Sequence, residues 1–234
     1  MKKIGIIGGL GPEATIDYYK EIINRFKNES GEMNYPEIII YSVNMADFLK
    51  PMNSKKWDEA VEYIIQKIEA LKSAGADFAA ISANTPHLLF EKIKEKSPIH
   101  LISIVEATRE EASKKGLKKP GLIGTHFTMN ASFYPDTFKK YGMEVIVPTE
   151  REKALVNRKL FSEIELGIFR DDTRQELIDI TKRMIKDEKI DSLILGCTEF
   201  PLILTEKEYA GIPMLNTTAI HVDAIVKYCL QYSD

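Results

Sequence analysis

Two stretches of this chain resemble each other: GADFAAISANTPH at residues 75–87 and KIDSLILGCTEFP at residues 189–201. Each begins with an apolar run of strand length and ends in polar residues, which is typical of a buried parallel strand leading into a loop. In this alignment Ala83 stands opposite Cys197. The pairing predicts that one structural unit occurs twice and that position 83 is the counterpart of a cysteine.

A second pair of stretches favours the same duplication. KKIGIIGGLGPEATIDYY at residues 2–19 resembles KKPGLIGTHFTMNASFYP at residues 118–135, and Asp77 aligns with Asp191 in the first pair. Chance similarity between two generic strand–loop–helix units is the alternative explanation.

Strands alternate with amphipathic helices along the chain, which predicts an α/β fold with parallel sheets. We expect two pseudo-symmetric, doubly wound domains, each with a parallel sheet of about four strands. The first domain is predicted to take residues 1–102 and 216–234, and the second residues 103–215. Ligands of such sheets bind at the carboxyl ends of the strands, so an active site is expected in the cleft between the domains.

Three local predictions are specific enough to be checked. Residues 87–97, HLLFEKIKEKS, are predicted to form a helix, and residues 143–148, MEVIVP, a strand. Residues from about 150 to 188 are predicted to form one long helical stretch.

The composition argues against several classes of function. With 234 residues, 44% of them hydrophobic and 29% charged, the chain has the composition of a soluble globular protein. A net charge of −3 without a basic block gives no reason to expect nucleic-acid binding. No apolar run approaches the length of a membrane span, and glycines and a proline interrupt the N-terminal apolar run too early for a signal peptide. Two cysteines are too few for a disulfide framework, so a cytoplasmic location is expected.

Cys197 is the first candidate for chemistry. It follows an apolar strand and precedes an expected helix, whose N-terminus would lower the pKa of the thiol. Thr198 and Glu199 add a hydroxyl and a carboxylate beside it. A buried structural cysteine is the alternative at this position. Cys229, on the apolar face of the last helix, is predicted to be such a core residue.

Asn84 and Thr85 are the second candidates. With free backbone N–H groups at a helix start, they could bind a carboxylate. An ordinary helix cap is the alternative, and both roles are compatible. His87 could act as a base, although its apolar neighbours favour a packed or capping side chain.

Two glycine- and threonine-containing loops complete the candidate binding residues. Gly9 and Leu10 lie in a tight turn that would let a small ligand approach the backbone, whereas the match to a dinucleotide fingerprint is weak. In the corresponding loop of the second half, Thr125 and Thr128 could bind a small anion. His126 is an acid candidate with nothing in the sequence to orient it. The four histidines are scattered, so no metal site is predicted.

Four motifs, in order over nearly the whole chain, resemble the aspartate/glutamate racemase superfamily. They are IGIIGGLGPEAT at 4–15, NTPH at 84–87, GTHFTM at 124–129 and GCTE at 196–199. Within the superfamily, the chain is most similar to the aspartate racemase and L-Asp/Glu-specific racemase branch.

The resemblance implies two α/β domains, a homodimer, and racemisation of aspartate or glutamate without pyridoxal phosphate or a metal. Two thiols, one per domain, would flank the substrate Cα; one removes the proton and the other returns a proton to the opposite face. For this chain the resemblance implies that Cys197 is one of these thiols. Backbone N–H groups near Asn84, Thr85 and Thr198 would hold the α-carboxylate.

The chain departs from the family pattern at the position of the first thiol, which falls on Ala83. Ser82 is a poor substitute because neighbouring residues on a strand point to opposite faces. We do not find the cations expected for a side-chain carboxylate either. In the segment after the second strand, NMADFLKPM at residues 44–52, Lys50 is the only cation, and Glu165 stands where a lysine is expected. Lys50, Arg158 and Lys159 are the candidates to bind such a carboxylate instead.

Four interpretations of Ala83 remain open. A water, Thr85 or His87 could serve as the second acid of a racemase. Cys197 could work alone, as in arylmalonate decarboxylase, another superfamily member. The alanine could have been introduced to trap a substrate complex. Finally, the protein could have lost catalysis and retained only amino-acid binding.

Overall fold

The computed structural model describes residues 1–30 and 34–231, without the side chains of residues 28–30. The chain divides into two compact units, Met1–Ile104 with Thr218–Asp234, and Val105–Thr217. Each unit is built on its own four-stranded sheet. The predicted α/β class with two similar sheets is confirmed.

The first unit contains a fully parallel sheet in the order β2-β1-β3-β4. Its elements are β1 (Ile4–Gly8), α1 (Pro12–Ser30), β2 (Ile38–Ser42), α2 (Met45–Asn53), α3 (Trp57–Ser73), β3 (Phe78–Ile81), a 3₁₀ helix (Thr85–Leu89), α4 (Phe90–Lys96), β4 (His100–Ile102) and α11 (Thr217–Leu230).

Helices cover both faces of this sheet. Ile4 and Ile6 of β1 form one apolar cluster with buried residues of α1 and α11. On the alternate side of β1, a side-chain carbon at Gly5 would lie 3.2 Å from Leu71 of α3. Because successive strand residues point to opposite faces, α3 covers the face that α1 and α11 leave open.

A buried histidine joins three elements of the first unit. The Tyr18 hydroxyl of α1 lies 2.7 Å from Nδ1 of His221 in α11. Nε2 of His221 lies 2.9 Å from the Ile102 carbonyl of β4, so Nε2 carries the proton and donates it. Tyr18 therefore donates to Nδ1, and the imidazole is neutral. Burial holds the pKa of His221 at about 4.

The second unit has the order β5-β6-β8-β7, with β5, β6 and β8 parallel and β7 antiparallel at the edge. Its elements are α5 (Ile104–Lys114), β5 (Pro120–Gly124), α6 (His126–Asn130), α7 (Phe133–Lys139), α8 (Glu150–Ser162), a 3₁₀ helix (Ile164–Leu166), α9 (Asp171–Glu188), β6 (Ser192–Gly196), α10 (Phe200–Ile203), β7 (Glu208–Tyr209) and β8 (Ile212–Asn216).

Matching hydrogen bonds in the two units support the internal duplication. Asp77 accepts from the Lys3 backbone N–H at 2.6 Å, and Asp191 accepts from the Lys119 backbone N–H at 2.9 Å. Each aspartate also donates its own backbone N–H to the same lysine's carbonyl. Both carboxylates thus attach the start of their own strand to the start of the neighbouring strand.

Three local predictions need correction. The predicted helix over residues 87–97 is a 3₁₀ helix, Thr85–Leu89, followed by α4. The predicted strand over residues 143–148 contributes one isolated bridge, Ile146 to Gly121. The predicted helical stretch over residues 150–188 is broken between α8 and α9, where Gly167 adopts a φ of 72° that a helix cannot contain.

Within residues 1–30 and 34–231, none of the helices combines the length and the apolar character needed to cross a bilayer.

Candidate active site

Cys197 lies directly after the last residue of β6 and before α10. Its side chain is buried, and its carbonyl accepts from the Phe200 N–H at 3.2 Å, which closes a turn. Because β6 is buried on both faces, this turn holds the thiol at the carboxyl end of the sheet of the second unit. The position agrees with the ligand end expected for a parallel strand.

Two carboxylates lie beside the thiol. The sulfur donates to Oε2 of Glu199 at 2.9 Å and lies 3.7 Å from Oε1 of Glu165. The Thr198 hydroxyl donates to the same Oε2 of Glu199 at 3.0 Å. Thr198 and Glu199 are buried, whereas Glu165, on the 3₁₀ helix after α8, is partly exposed.

The expectation that a helix N-terminus lowers the pKa of Cys197 is wrong for this structure. Burial, together with the carboxylates of Glu199 and Glu165, raises the pKa of the thiol well above its usual value. The following helix, α10, has only four residues, so its dipole is small. Burial and Glu199 also raise the pKa of Glu165 to about 7. The resting site therefore favours a neutral thiol.

The same three side chains offer atoms of the kind that bind metals. One ligand atom from each of Glu165, Cys197 and Glu199 lies within 4.8 Å of the others. A thiolate with two carboxylates can hold a divalent cation in principle. A cation bound to the sulfur would lower the basicity of the thiolate, so the cluster fits acid–base chemistry and metal binding as alternatives.

In the first unit, the segment after β3 places Ala83, Asn84 and Thr85 in sequence. Ala83 and Asn84 are buried, and Thr85 begins a 3₁₀ helix. Ser82 donates its hydroxyl proton to the Ile7 carbonyl at 3.1 Å, which uses the hydroxyl within the sheet. Position 83 carries only a methyl group at the carboxyl end of β3.

His87 is engaged at both ring nitrogens. The Ile104 backbone N–H lies 3.3 Å from Nε2, so Nε2 accepts and Nδ1 donates to the Ala83 carbonyl at 3.0 Å. Burial lowers the pKa of His87 to about 3, and the ring stacks on Phe90. This environment supports the packed interpretation of His87 and argues against a role as the second acid.

The loop with Gly9 and Leu10 follows β1. Gly9 has a φ of 79°, and a side-chain carbon there would lie 2.3 Å from the Val43 carbonyl oxygen, so the backbone requires glycine. The Gly9 N–H donates to the Thr15 hydroxyl at 2.9 Å. Leu10 is buried. The turn thus explains the glycine without a ligand at its N–H group.

The loop with Thr125 and Thr128 follows β5 in the second unit. Thr125 caps α6, because its hydroxyl accepts from the Thr128 N–H at 3.2 Å and lies 3.1 Å from the Thr128 hydroxyl. Both threonines are buried. His126 is held by Asn130, whose amide lies 2.9 Å from Nδ1. Capping accounts for the threonines, and their role in binding stays a prediction.

Glu165 is the residue that sequence reasoning did not include among the site residues. The sequence indicated only that it stands where a lysine is expected, and it precedes Cys197 by 32 positions. The contact depends on the break between α8 and α9, which brings the 3₁₀ helix to the thiol.

Comparison with known proteins gives the family of this chain. Residues 7–225 match the family model described as Asp/Glu/Hydantoin racemase. The broad specificity amino-acid racemase RacX of Bacillus subtilis is 25% identical over 98% of this chain and 99% of that protein.

Solved structures give the same result. An aspartate racemase homologue from Pyrococcus horikoshii is 36% identical, with a TM-score of 0.85 over 97% of this chain and 99% of that chain. The aspartate racemase of Picrophilus torridus shares the fold, with a TM-score of 0.76 at 21% identity over 97% of this chain and 94% of that chain.

Proposed function

Because this chain belongs to the Asp/Glu/hydantoin racemase family, we propose that it racemises an amino acid by moving its α-proton, with Cys197 as the acid–base group. The observation that carries the proposal is the buried thiol of Cys197 at a strand end, in contact with two carboxylates. A structural cysteine does not require ionisable partners of this kind.

The proton transfers balance as follows. The Cys197 thiolate takes the α-proton and becomes a thiol, and the electron pair of the C–H bond stays on Cα and spreads into the α-carboxylate. Addition of a different proton to the other face of Cα gives the opposite enantiomer. Backbone N–H groups near Asn84, Thr85 and Thr198 stabilise the negative charge on the carboxylate in this proposal. In the reverse direction the Cys197 thiol donates.

The raised pKa of Cys197 means that the thiolate needs help to form. The substrate brings an α-ammonium group, and this positive charge near Glu199 offsets the negative potential that disfavours the thiolate. We propose that binding of the amino acid activates the thiol, whose proton leaves to water before the site closes and water is excluded. The thiol of the free protein then reacts slowly.

The second proton needs a donor other than residue 83. Ala83 has no proton to transfer, and both nitrogens of His87 are engaged. We propose that water or the Thr85 hydroxyl supplies this proton. Because the two enantiomers have equal free energy, kcat/KM is the same in both directions, and the weak donor limits both.

Several finer properties follow from the family resemblance. The reaction is proposed to need neither pyridoxal phosphate nor a metal. Aspartate and glutamate are the substrates that the family resemblance implies. A homodimer in the cytoplasm, without nucleic-acid or membrane partners, is the proposed physiological form.

A one-thiol decarboxylase is the second candidate, because Cys197 is the one thiol at the two family positions. In that reaction carbon dioxide leaves Cα, and the Cys197 thiol protonates the carbanion that remains. A binding protein without catalysis is the third candidate.

The test is incubation of the protein with each enantiomer of a panel of amino acids, followed by chiral chromatography. Formation of the opposite enantiomer, lost in Cys197→Ala, supports the racemase. Release of carbon dioxide from a substituted malonate without any racemisation would favour the decarboxylase, and binding alone would favour the third candidate.

A further inference from the structure

The environment of Cys197 is acidic on the side that Glu165 and Glu199 occupy. Oε2 of Glu199 and Oε1 of Glu165 lie 2.9 Å and 3.7 Å from the sulfur. Glu199 is buried and accepts a hydrogen bond from the Thr198 hydroxyl, whereas Glu165 is only partly buried. Glu165 is therefore the carboxylate of this pair that an incoming molecule can contact.

The lysines nearest in sequence to Glu165 are engaged with other acids. Lys159 lies 3.0 Å from Glu163 and 3.3 Å from Glu176, and it donates to the Thr173 hydroxyl. Lys153 pairs with Glu150 at 2.8 Å. Lys159, a candidate for binding a substrate carboxylate, thus belongs to a separate ion-pair network.

The two groups of the candidate site beside Glu165 bring no positive charge to its carboxylate. Its carboxylate lies within 4.8 Å of the Cys197 sulfur and of a Glu199 carboxylate oxygen, and neither of these groups is a cation. Glu165 thus places a partly exposed carboxylate beside the thiol, with another carboxylate, Glu199, on the same sulfur. Such a position favours a cation and repels a second carboxylate.

The distance between Glu165 and the thiol brings this charge close to the substrate. A base lies within about 3.5 Å of the carbon whose proton it removes. Since the Glu165 oxygen lies 3.7 Å from the sulfur, the substrate Cα lies within about 7 Å of it. The side chain of lysine, ornithine or arginine is long enough to cross that distance, whereas the side-chain carboxylate of glutamate would meet a like charge.

We propose that Glu165 determines specificity by charge and that the preferred substrates carry an amine or guanidinium at the end of the side chain. The proposal rests on the racemase function for its turnover assay. It reverses the expectation of aspartate or glutamate that the family resemblance gives. One relative, RacX of Bacillus subtilis, is named as a broad specificity amino-acid racemase.

The test compares L-lysine, L-methionine and L-glutamate, which have similar lengths and different side-chain charges. Both kcat/KM for racemisation and Kd from calorimetry are measured with a chelator present, for the wild type, Glu165→Gln and Glu165→Lys. Glu176→Gln, which removes a carboxylate of the Lys159 network, is the matched control. Thermal melts of each variant check folding.

Wild type is expected to favour lysine over glutamate at least about tenfold. Glu165→Gln is expected to weaken lysine binding and turnover by about tenfold, with methionine changed by less than about twofold. Glu165→Lys should shift the preference toward glutamate, and Glu176→Gln should leave it unchanged.

Two results would contradict the proposal that Glu165 selects substrates by charge, without contradicting the racemase function. One is a preference for glutamate that Glu165→Gln does not change. The other is an equal loss for all three amino acids, which would assign Glu165 to the α-ammonium group. Absence of turnover with Glu165-dependent lysine binding would refute the racemase and support the selection by charge. Absence of both turnover and binding would refute both.

Discussion

The sulfur of Cys197 lies 3.7 Å from Oε1 of Glu165, a residue 32 positions earlier in the chain. The contact joins the strand-end turn after β6 to the 3₁₀ helix that follows α8. With Glu199 on the same sulfur, it surrounds a proposed acid–base thiol with negative charge.

Replacing Cys197 by serine is expected to lower kcat for racemisation by about 10²–10⁴-fold, because a hydroxyl is a far weaker acid than a thiol. The matched control is Cys229→Ser, since Cys229 is also buried but packs in the apolar cluster of the first unit. Its activity should stay close to that of the wild type. Equal activity of both variants would exclude Cys197 from the chemistry.

Replacing Glu199 by glutamine is expected to lower the pKa of Cys197, because one of the charges that raises it disappears. At a fixed pH near 8 the thiolate fraction rises, so iodoacetamide should alkylate Cys197 faster in this variant. Peptide mass spectrometry follows the rate, with Cys229 of the same molecule as the internal reference. A slower or unchanged rate at Cys197 would contradict the electrostatic account.

Replacing Ala83 by threonine or cysteine is expected to raise two-way racemisation by about tenfold or more, since each supplies a proton donor. Ala83→Val is the matched control, because valine has nearly the shape of threonine without the hydroxyl. Initial rates from both enantiomers provide the measurement. If threonine, cysteine and valine give the same rates, position 83 does not face the reacting carbon.

The buried histidines predict a loss of stability in mild acid. Burial lowers the pKa of His87 to about 3 and of His221 to about 4, whereas in the unfolded chain both are near 6.5. The unfolded state therefore binds more protons below pH 6.5. The free energy of unfolding falls by up to about 1.4 kcal/mol per pH unit for each histidine as the pH drops from 6.5 toward 5.

Urea unfolding at pH 7.5, 6.5, 5.8 and 5.0 measures this slope. His221→Gln should be less stable at pH 7.5, because it disturbs the bonds to Tyr18 and Ile102, but its stability should depend less on pH. His126→Gln, which changes an exposed histidine, should keep the wild-type slope. An unchanged slope in His221→Gln would show that this histidine is not the source.

The sequence predicts much of the architecture because the relevant signals are local. Strands such as β6 are short apolar runs buried on both faces, and the repeated segments reveal that the two sheets are alike. Cys197, Thr198 and Glu199 could be grouped because they are adjacent in the chain, and their contacts in the structure follow from that adjacency.

Three features required the folded structure. The contact of Glu165 with Cys197 depends on tertiary placement of a 3₁₀ helix, which periodicity does not encode. Burial and the carboxylates of Glu199 and Glu165 raise the pKa of the Cys197 thiol, which is opposite to the direction predicted from a helix start. The break at Gly167 was missed because a single glycine within a helical pattern also fits a continuous helix.

The most direct test of the central claim is α-proton exchange in D2O, followed by NMR, with chiral chromatography to detect inversion. L-Lysine, L-glutamate, L-aspartate and their D-enantiomers are each incubated with wild type and with Cys197→Ser. The account predicts that wild type introduces deuterium at Cα of at least one of them, that inversion accompanies exchange, and that Cys197→Ser does neither. Exchange that persists in Cys197→Ser, or no exchange in wild type with any of these amino acids, would contradict it.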